Sequence, residues 1–150
     1  MDQSLVGRKA EPFEVIVELG KVREFARATR SDNPEYVERR DAVTPPTFLM
    51  AAHFWRGPEN SEWGPDGLDF TNVLHGEQEF TFYGPPPHVG DRLIGQARVD
   101  RMYEKAGGRG GSMIFTDTVC EYRNEAGDLV AEVKSTNIRT SKAAVAGDAS

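Results

Sequence analysis

Three long segments in the second half of the chain have the patterning of β-strands, and two short turns connect them. The segments cover residues 92–105, 112–123 and 128–140. The sequence Gly-Gly-Arg-Gly-Gly at 107–111 separates the first two, and Asn-Glu-Ala-Gly at 124–127 separates the last two. Both connections have the glycine content of hairpin turns, which join antiparallel neighbours. The second half therefore predicts a long antiparallel meander.

The first half begins with a short strand and a helix. Residues 13–19, Phe-Glu-Val-Ile-Val-Glu-Leu, are rich in β-branched residues and predict a strand that ends before Gly20. Residues 21–30 predict a short amphipathic helix, because their apolar positions recur at helical spacing: Val22, Phe25, Ala26 and Thr29.

A second, more apolar helix is predicted after a loop at residues 31–45. Thr44 is a suitable N-cap, and a proline is tolerated at the first helical position that follows it. Residues 47–55, Thr-Phe-Leu-Met-Ala-Ala-His-Phe-Trp, are apolar nearly all round, which is typical of a buried helix.

The glycine- and proline-rich stretch at 56–70 predicts a surface connection to a further strand. That strand covers residues 71–83, where the pattern has a period of two. The alternation places one set of residues on a single face: Leu74, Gly76, Gln78, Phe80 and Phe82.

Together these elements predict one α+β domain, in which a long antiparallel sheet wraps around a buried helix. A chain of 150 residues is the size of a single domain with one core. We place this domain at residues 1–150, with its core at about 6–140 and a small, polar, frayed tail at 141–150.

Charge and hydropathy exclude several classes of partner. The net charge is −6, whereas a nucleic-acid surface needs a basic face that displaces counterions from phosphates. No window approaches about 18 consecutive apolar residues, so no membrane span is expected. The N-terminal sequence lacks the apolar core of a signal peptide, which indicates the cytoplasm.

Metal and disulfide chemistry are not expected either. Cys120 is the only cysteine, so an internal disulfide and a cysteine metal cluster are excluded. It lies in the apolar run 114–122, where we expect an inert, buried thiol. The three histidines are widely spaced and show no metal-binding pattern. We therefore expect no metal and no cofactor.

Three local motifs indicate a family. Residues 31–36 read Ser-Asp-Asn-Pro-Glu-Tyr, residues 44–48 read Thr-Pro-Pro-Thr-Phe, and residues 74–78 read Leu-His-Gly-Glu-Gln, with Tyr-Gly-Pro-Pro following at 83–86. In this order they resemble the MaoC-like dehydratase family, specifically its N-terminal-type, FAS1-like dehydratase domain. The resemblance covers about residues 6–140 and implies the hot-dog fold.

The resemblance also implies that the usual catalytic pair is absent. The family's hydratase loop, Gly-Asp-x-Asn-Pro-x-His, supplies an aspartate and a histidine that hold one water molecule and move its protons. Aligning the loop on Asn33 and the following proline places Ser31 at the aspartate position and Tyr36 at the histidine position. A serine without an activating partner and a phenol are poor bases at neutral pH. No residue is therefore identified as catalytic.

Hot-dog hydratases stabilise the developing enolate with backbone N–H groups at the N-terminus of the central helix. Here the prolines at 45 and 46 carry no N–H, while the amides of Thr47 and Phe48 remain. Such an oxyanion hole is depleted, although the prolines are equally suited to mark the helix start. The resemblance implies a substrate-lining role for five residues: Pro46, Thr47, Phe48, Trp55 and His75. For Trp55, core packing stays open as the alternative.

The sequence leaves two roles open for His75. It either packs or lines the substrate site, or it acts as a base beside Glu77, which lies two residues on and is expected on the same face. Basic residues recur along one predicted hairpin, and they form either a solvated strand edge or contacts to the phosphates of coenzyme A: Arg98, Arg101, Lys105 and Arg109.

The resemblance implies the noncatalytic, acyl-accommodating half of a two-subunit (R)-specific enoyl-CoA hydratase or 3-hydroxyacyl-thioester dehydratase. Its partners would be an acyl-CoA or acyl-carrier-protein thioester and a second hot-dog subunit with the intact loop, in a dimer or heterotetramer. Two alternatives stay open. One is a ligand-binding homodimer without enzymatic activity. The other is an autonomous hydratase or thioesterase that uses Asp32 or Glu77.

Overall fold

Five strands form one antiparallel sheet in the computed structural model, which describes residues 2–57, 60–64, 70–107 and 111–140. The strands are β1 (Phe13–Ile16), β2 (Val73–Phe82), β3 (Arg92–Ala106), β4 (Ser112–Arg123) and β5 (Leu129–Thr140). Their order across the sheet is β1-β3-β4-β5-β2, so β1 and β2 are the two edges. The α+β class and the antiparallel meander of β3, β4 and β5 are confirmed.

The helices are short. Among the described residues, two are α-helices, α1 (Leu19–Ala28) and α2 (Pro34–Val37). Three are 3-10 helices, at Gln3–Leu5, Phe48–Trp55 and Phe70–Asn72. We call Phe48–Trp55 the central helix. We call the face of the sheet that packs against it the concave face and the opposite face the convex face.

Strand β1 ends earlier than predicted. It stops at Ile16, because the backbone of Val17 bonds outside the strand ladder. The Val17 N–H donates to the Asp91 carbonyl over 3.0 Å, and its carbonyl accepts from the Gly90 N–H over 2.9 Å. The turn before β3 thus takes over the hydrogen bonds that would have continued the strand.

Helix α1 begins at Leu19, two residues before the predicted start, and ends at Ala28. Its C-terminus is closed by Arg30, which has a left-handed backbone with φ of 56°. The Ser31 N–H donates to the Ala26 carbonyl over 2.8 Å, and the Arg30 N–H donates to the Arg27 carbonyl over 3.0 Å. This pair of bonds is the Schellman motif, which here ends the helix without a glycine.

Helix α2 lies inside the segment predicted to be a loop. The Asn33 side chain accepts a 3.0 Å hydrogen bond from the Glu35 N–H, and Pro34 occupies the first helical position. An asparagine cap followed by proline is a recognised helix start. The sequence therefore contained the signal for this one-turn helix.

The predicted start of the central helix is wrong. Thr44 does not cap it, because the helix begins at Phe48 and the cap position is Thr47. Thr44 is buried, and its N–H donates to the carbonyl of Pro87 over 2.9 Å. This bond ties the segment before the helix to the proline-rich stretch before β3.

The central helix is also less buried than predicted. Phe48, Leu49, Ala51 and Ala52 are buried, but Met50 and His53 are exposed and Phe54 is 72% exposed. Side chains of a 3-10 helix eclipse one another at every third position, so only part of an apolar run can face the sheet.

Two apolar clusters hold the central helix in place. The larger lies between the helix and the concave face of the sheet, and its members are Phe13, Val15, Leu49, Ala52, Leu93, Tyr122, Ala131 and Val133. The smaller lies between the helix and α1, and its members are Val17, Val22, Ala42 and Phe48. The half-buried Trp55 packs against both clusters.

A β-bulge at Gly76 changes the faces of β2. His75 pairs with Asn137 and Glu77 pairs with Thr136, so Gly76 has no partner in the register. Because neighbouring residues of β5 point to opposite faces and paired residues share a face, His75 and Glu77 lie on opposite faces. The expectation that they share a face is therefore wrong.

The same bulge moves Leu74 off the predicted face. Leu74 pairs with Ile138 on the convex face, whereas Gln78, Phe80 and Phe82 pair with Ser135, Val133 and Ala131 on the concave face. Before the bulge His75 shares this concave face, and Leu74 does not.

Several predicted features lie outside the described residues. They are parts of the connection at 56–70, the middle of the turn at 107–111 with Arg109, and the tail at 141–150. Within the described ranges, every helix is too short or too polar to cross a lipid bilayer.

Candidate functional site

The loop at residues 31–36 is folded but carries neither an aspartate nor a histidine at the two aligned positions. Asn33 and Pro34 serve as the cap and first residue of α2. The Ser31 hydroxyl is half-buried and accepts a 3.4 Å hydrogen bond from the Asn33 N–H. Tyr36 lies half-buried within α2. The loop thus presents a hydroxyl and a phenol.

The start of the central helix offers fewer donors than expected. The Phe48 N–H donates to the Pro45 carbonyl over 2.9 Å and is therefore engaged. Pro46 has no N–H and is exposed, as is Thr47. In the described part of the chain the Thr47 N–H has no acceptor. One backbone donor, rather than two, remains available at this position.

The Phe48 side chain packs in the core. It is fully buried and lies in edge contact with Phe25, at 5.6 Å between ring centroids, and 6.4 Å from Trp55. Of the five predicted substrate-lining residues, Pro46, Thr47 and His75 are exposed, and Trp55 is half-buried. His75 lies on β2, apart in sequence from the other four.

A cavity of about 120 Å³ lies between the central helix and the concave face. The helix contributes Leu49, Met50 and His53, and the sheet contributes Thr118, Cys120, Tyr122 and Ser135. Sequence analysis did not identify these residues as a group. The available signal was the alternation of polar residues along β4, at Thr116 and Thr118.

An ion pair closes one side of this cavity. Arg56 donates to the carboxylate of Glu62 and, over 2.7 Å, to the Asn60 carbonyl. Both charged side chains are largely buried, and the guanidinium lies 5.7 Å from the centroid of the Phe13 ring. The pair holds the segment after the central helix against β1.

Cys120 and Tyr122 on the opposite wall are neutral at physiological pH. Burial raises the pKa of the Cys120 thiol to about 11, against an ordinary value of 9.0. Burial also raises the pKa of the Tyr122 phenol well above its ordinary value. A thiol that stays protonated is a poor nucleophile, so these two residues shape the cavity and do not supply a reactive group.

A second, larger cavity of about 480 Å³ opens at the other end of the sheet. It lies between the proline-rich stretch after β2 and the turn joining β4 to β5, and Tyr83, Asp91, Arg92 and Asn124 are among its lining residues. None of the predicted site residues lines it. Within the described ranges, no group of three or more His, Cys, Asp or Glu residues is arranged to hold a metal ion.

Family and sequence comparisons agree with the motifs. The profile of the FAS1-like, dehydratase domain region matches residues 4–133. A UPF0336 protein of Streptomyces coelicolor is 35% identical over 141 residues, covering 87% of this chain and 89% of that protein. A UPF0336 protein of Saccharopolyspora erythraea is 32% identical over 147 residues, covering 91% of this chain and 89% of that protein.

Solved structures share the fold. The truncated HadBC (3R-hydroxyacyl-ACP dehydratase) complex of Mycobacterium tuberculosis has a chain with a TM-score of 0.66 and 21% identity, covering 91% of this chain and 99% of that chain. A chain of the ChsH1–ChsH2 complex of the same organism has a TM-score of 0.67 and 17% identity, covering 87% of this chain and 83% of that chain. A MaoC-like dehydratase of Phytophthora capsici has a TM-score of 0.73 and 18% identity, covering 93% of this chain and 50% of that chain. The predicted hot-dog fold is confirmed.

Proposed function

This chain belongs to the FAS1-like dehydratase domain family, and from that premise we propose that it is the noncatalytic, acyl-accommodating subunit of a heteromeric hydratase. The complex would be an (R)-specific enoyl-CoA hydratase or 3-hydroxyacyl-thioester dehydratase. The carrier of the acyl group would be coenzyme A or an acyl carrier protein. HadBC, which has the same fold, is a complex that acts on a 3R-hydroxyacyl-ACP.

The loop at 31–36 carries this proposal. Its backbone frame is present, since Asn33 caps α2 and Pro34 opens it. The two positions that would hold water carry Ser31 and Tyr36, and the Ser31 oxygen already accepts a hydrogen bond from within the loop. Hydration of an enoyl thioester needs a group that takes a proton from water near neutral pH. A second subunit has to supply that group.

The length of the central helix supports the acyl-accommodating role. Its eight residues span about 16 Å at roughly 2 Å per residue. The fifteen residues of β3 span about 50 Å at roughly 3.3 Å per residue. The helix is therefore too short to cover the whole length of β3, which leaves part of the concave face for an acyl chain.

The β2 edge supports a hot-dog partner. Among the described strands, β2 pairs only with β5, so the other side of its backbone is unpaired over ten residues. Unpaired edges are rarely left open in native proteins. Leu74, on this strand, is 53% exposed, and Met50 and Phe54 of the central helix are exposed as well. HadBC and ChsH1–ChsH2 are both complexes of two subunits.

The autonomous-enzyme alternative is weaker. It needs Asp32 or Glu77 as a base, and both side chains are exposed to solvent. Glu77 lies on the convex face, opposite His75, so the two cannot share a water molecule on one face of β2. The homodimeric binding module is an outcome that the experiment below distinguishes.

The test combines this chain with a separately encoded hot-dog subunit that carries the intact Asp-x-Asn-Pro-x-His loop. We expect the chain alone to hydrate crotonyl-CoA and octenoyl-CoA at less than about 1 s⁻¹, below the range of ordinary enzymes. The mixture should form a stable complex by size-exclusion and mass measurements, and it should be active in the spectrophotometric assay.

One variant in each subunit shows which of the two subunits supplies the catalytic group. Asparagine in place of the partner's loop aspartate should reduce activity by about 10²-fold or more. Ser31→Ala combined with Tyr36→Phe in this chain should leave activity unchanged. Turnover by the isolated chain, or a homodimer that ignores every such partner, would refute the proposed role.

A further inference from the structure

A row of apolar side chains crosses the convex face of the sheet. Tyr103 of β3, Phe115 of β4, Ile138 of β5 and Leu74 of β2 are paired in register. Residues paired directly across antiparallel strands share a face. Tyr122, an odd number of residues further along β4, packs on the side of the central helix, so the row lies on the opposite side. We call these four residues the convex row.

Much of the convex row is open to solvent. Leu74 is 53% exposed, and the other three side chains are half-buried. The rings of Tyr103 and Phe115 stack with 5.0 Å between centroids and planes 9° apart, so they form one ordered apolar block. Contiguous apolar patches mark contact surfaces, whereas apolar residues scattered singly over a surface do not. The row is therefore a candidate contact surface.

Charge differs between the two ends of the convex row. At the β3 end, the Arg101 guanidinium lies 4.6 Å and the Lys105 ammonium 5.2 Å from the centroid of the Tyr103 ring. Arg101 bonds to Asp117, yet its side chain stays 61% exposed. At the β2 end, Glu77 lies on the same face and is exposed. The row is thus basic at one end and acidic at the other.

This pattern is complementary to a second copy of itself. Two sheets that stack face to face lie about 10 Å apart, with their strands within about 30° of each other. A two-fold axis parallel to the strands places β3 of one copy over β2 of the other, and β4 over β5. Tyr103 then lies over Leu74 of the other copy, and Arg101 lies near Glu77 of the other copy. An axis across the strands would instead place the β3 cations of the two copies against each other, which charge repulsion disfavours.

We propose that the convex face packs against a second copy of this chain through the convex row, around a two-fold axis parallel to the strands. In such a contact the same patch is used by both copies, so each match of charge occurs twice. The inference goes beyond the proposed function, because it involves neither a thioester nor the edge of β2. A catalytic partner at that edge would leave the convex row free, and the two contacts together would give a heterotetramer.

The experiment measures self-association of the whole chain by sedimentation equilibrium at low salt, with no partner added. The unaltered chain should show a reversible association that doubles its mass. Leu74→Glu and Leu74→Lys remove the same exposed leucine, but the first places a carboxylate and the second an ammonium near Arg101 and Lys105 of the other copy. We expect Leu74→Lys to associate at least about tenfold more weakly than Leu74→Glu, because several exposed ion pairs change sign at two symmetric sites.

The sign of this difference separates the charge pattern from the net charge. The chain has a net charge of −6, which Leu74→Glu changes to −7 and Leu74→Lys to −5. Net charge alone therefore predicts weaker association for Leu74→Glu, since like charges repel, and the convex row predicts the reverse. The difference should shrink in about 1 M salt, where the screening length is about 3 Å. Adding Lys105→Glu to Leu74→Lys should restore association, because the new ammonium then meets a carboxylate.

Phe54→Lys is the matched control. Phe54 is 72% exposed and lies on the central helix, on the other side of the sheet, so this variant should associate like the unaltered chain. Thermal denaturation checks that every variant is folded. If the Leu74 variants do not fold, the methyl resonances of Leu74 and Ile138 in the unaltered chain should shift as its concentration rises, and that of Met50 on the central helix should not.

Three results would overturn the inference. They are a chain that stays monomeric up to millimolar concentration, equal association of the two Leu74 variants at low salt, and association that Phe54→Lys abolishes while Leu74→Lys does not. The last would assign the contact to the concave side. A chain that associates as expected but gives no hydratase activity with any catalytic subunit would count against the proposed function alone.

Discussion

The guanidinium of Arg101 donates two hydrogen bonds, of 3.0 and 2.7 Å, to one carboxylate oxygen of Asp117. The other carboxylate oxygen accepts a 2.8 Å bond from the Thr136 hydroxyl. Asp117 is 1% exposed, although it lies on the convex face of the sheet. One buried carboxylate thus links β3, β4 and β5 on the side away from the central helix.

We expect Asp117→Ala to lower the free energy of unfolding by about 1–3 kcal/mol, because it leaves the buried Thr136 hydroxyl without its acceptor. Glu14→Ala is a matched control. Glu14 accepts a 2.7 Å bond from Arg92, but both side chains are about half exposed, so the loss should stay within about 0.5 kcal/mol. Urea denaturation measures both, and equal losses would contradict a structural role for the buried carboxylate.

A second prediction concerns the close contact at Gly95. A Cβ at this position would lie 2.7 Å from the Phe13 ring and 3.0 Å from the Tyr122 ring. These rings are already in edge contact within the core, with centroids 6.3 Å apart, so neither can easily move away. We expect Gly95→Ala to destabilise the fold by about 1–3 kcal/mol, the usual effect of overpacking.

Gly20 provides the opposite case. It lies in the first turn of α1, and a Cβ added there would meet no atom within 4 Å. Gly20→Ala should therefore stabilise the protein by about 0.5–1 kcal/mol, the helix preference of alanine over glycine. Thermal denaturation of the two variants should give shifts of opposite sign. A neutral Gly95→Ala would show that the rings adjust at no cost.

The sheet was predictable because its strands are long and its turns are rich in glycine. Strand β4 has the predicted bounds, and β3 and β5 differ from prediction by one residue each. Helix ends were less predictable, because backbone bonds from distant segments decide them. Thr44 resembles a cap in sequence, yet its N–H bonds to Pro87, which is far along the chain.

The site was less predictable than the fold. The prediction that Ser31 and Tyr36 stand at the two catalytic positions could be made from the sequence, because a local motif at Asn33 and Pro34 sets the alignment. The face of the sheet on which His75 lies could not be predicted. A period-two pattern assumes an unbroken strand, and the bulge at Gly76 interrupts the alternation. The exposure of Met50 was also missed, since apolar composition alone does not distinguish a 3-10 helix from a buried α-helix.

Cys120 should be unreactive in the folded protein. With a pKa raised to about 11 by burial, only about one thiol in a thousand is ionised at pH 8. We expect modification by a disulfide reagent to be slow in native buffer and complete within minutes in guanidinium chloride. Rapid modification of the native protein would contradict the buried position.

The same shift predicts a pH dependence of stability. The folded-state pKa of Cys120 lies above the ordinary value of 9.0, so the unfolded chain loses its thiol proton first as the pH rises. The resulting stability is fully present below pH 9 and is lost between pH 9 and about 11. Cys120→Ala should make the decline across this window shallower, and an identical decline would assign it to other groups.

Arg30 offers a test of the helix end. It has a left-handed backbone with φ of 56° at the position where the Schellman motif favours glycine. We expect Arg30→Gly to stabilise the protein by about 0.5–1 kcal/mol, because glycine adopts this backbone without steric cost. Arg27→Gly, inside α1, should destabilise it by about 1 kcal/mol. Denaturation midpoints that shift in the same direction would contradict this account of the helix end.

The exposure of His75 predicts that it contributes little to stability. It lies on the concave side of β2, its side chain is exposed, and the imidazole makes no hydrogen bond within the described residues. We therefore expect His75→Ala to change the free energy of unfolding of the isolated chain by less than about 0.5 kcal/mol. Urea denaturation measures this change, and a larger loss would show that the imidazole packs in the folded chain.

Kinetics of the complex with a catalytic subunit separate a binding role of His75 from a catalytic one. A ligand-binding role predicts that His75→Gln raises KM for an enoyl thioester while kcat stays within about twofold. A general base predicts a kcat lower by about 10²-fold, because glutamine cannot accept the proton. We expect the first result, since the bulge at Gly76 places Glu77 on the other face, where it cannot orient the imidazole. Glu77→Gln is the control and should leave both constants unchanged. A folded, fully assembled His75→Gln complex without activity would move the proton transfer into this chain.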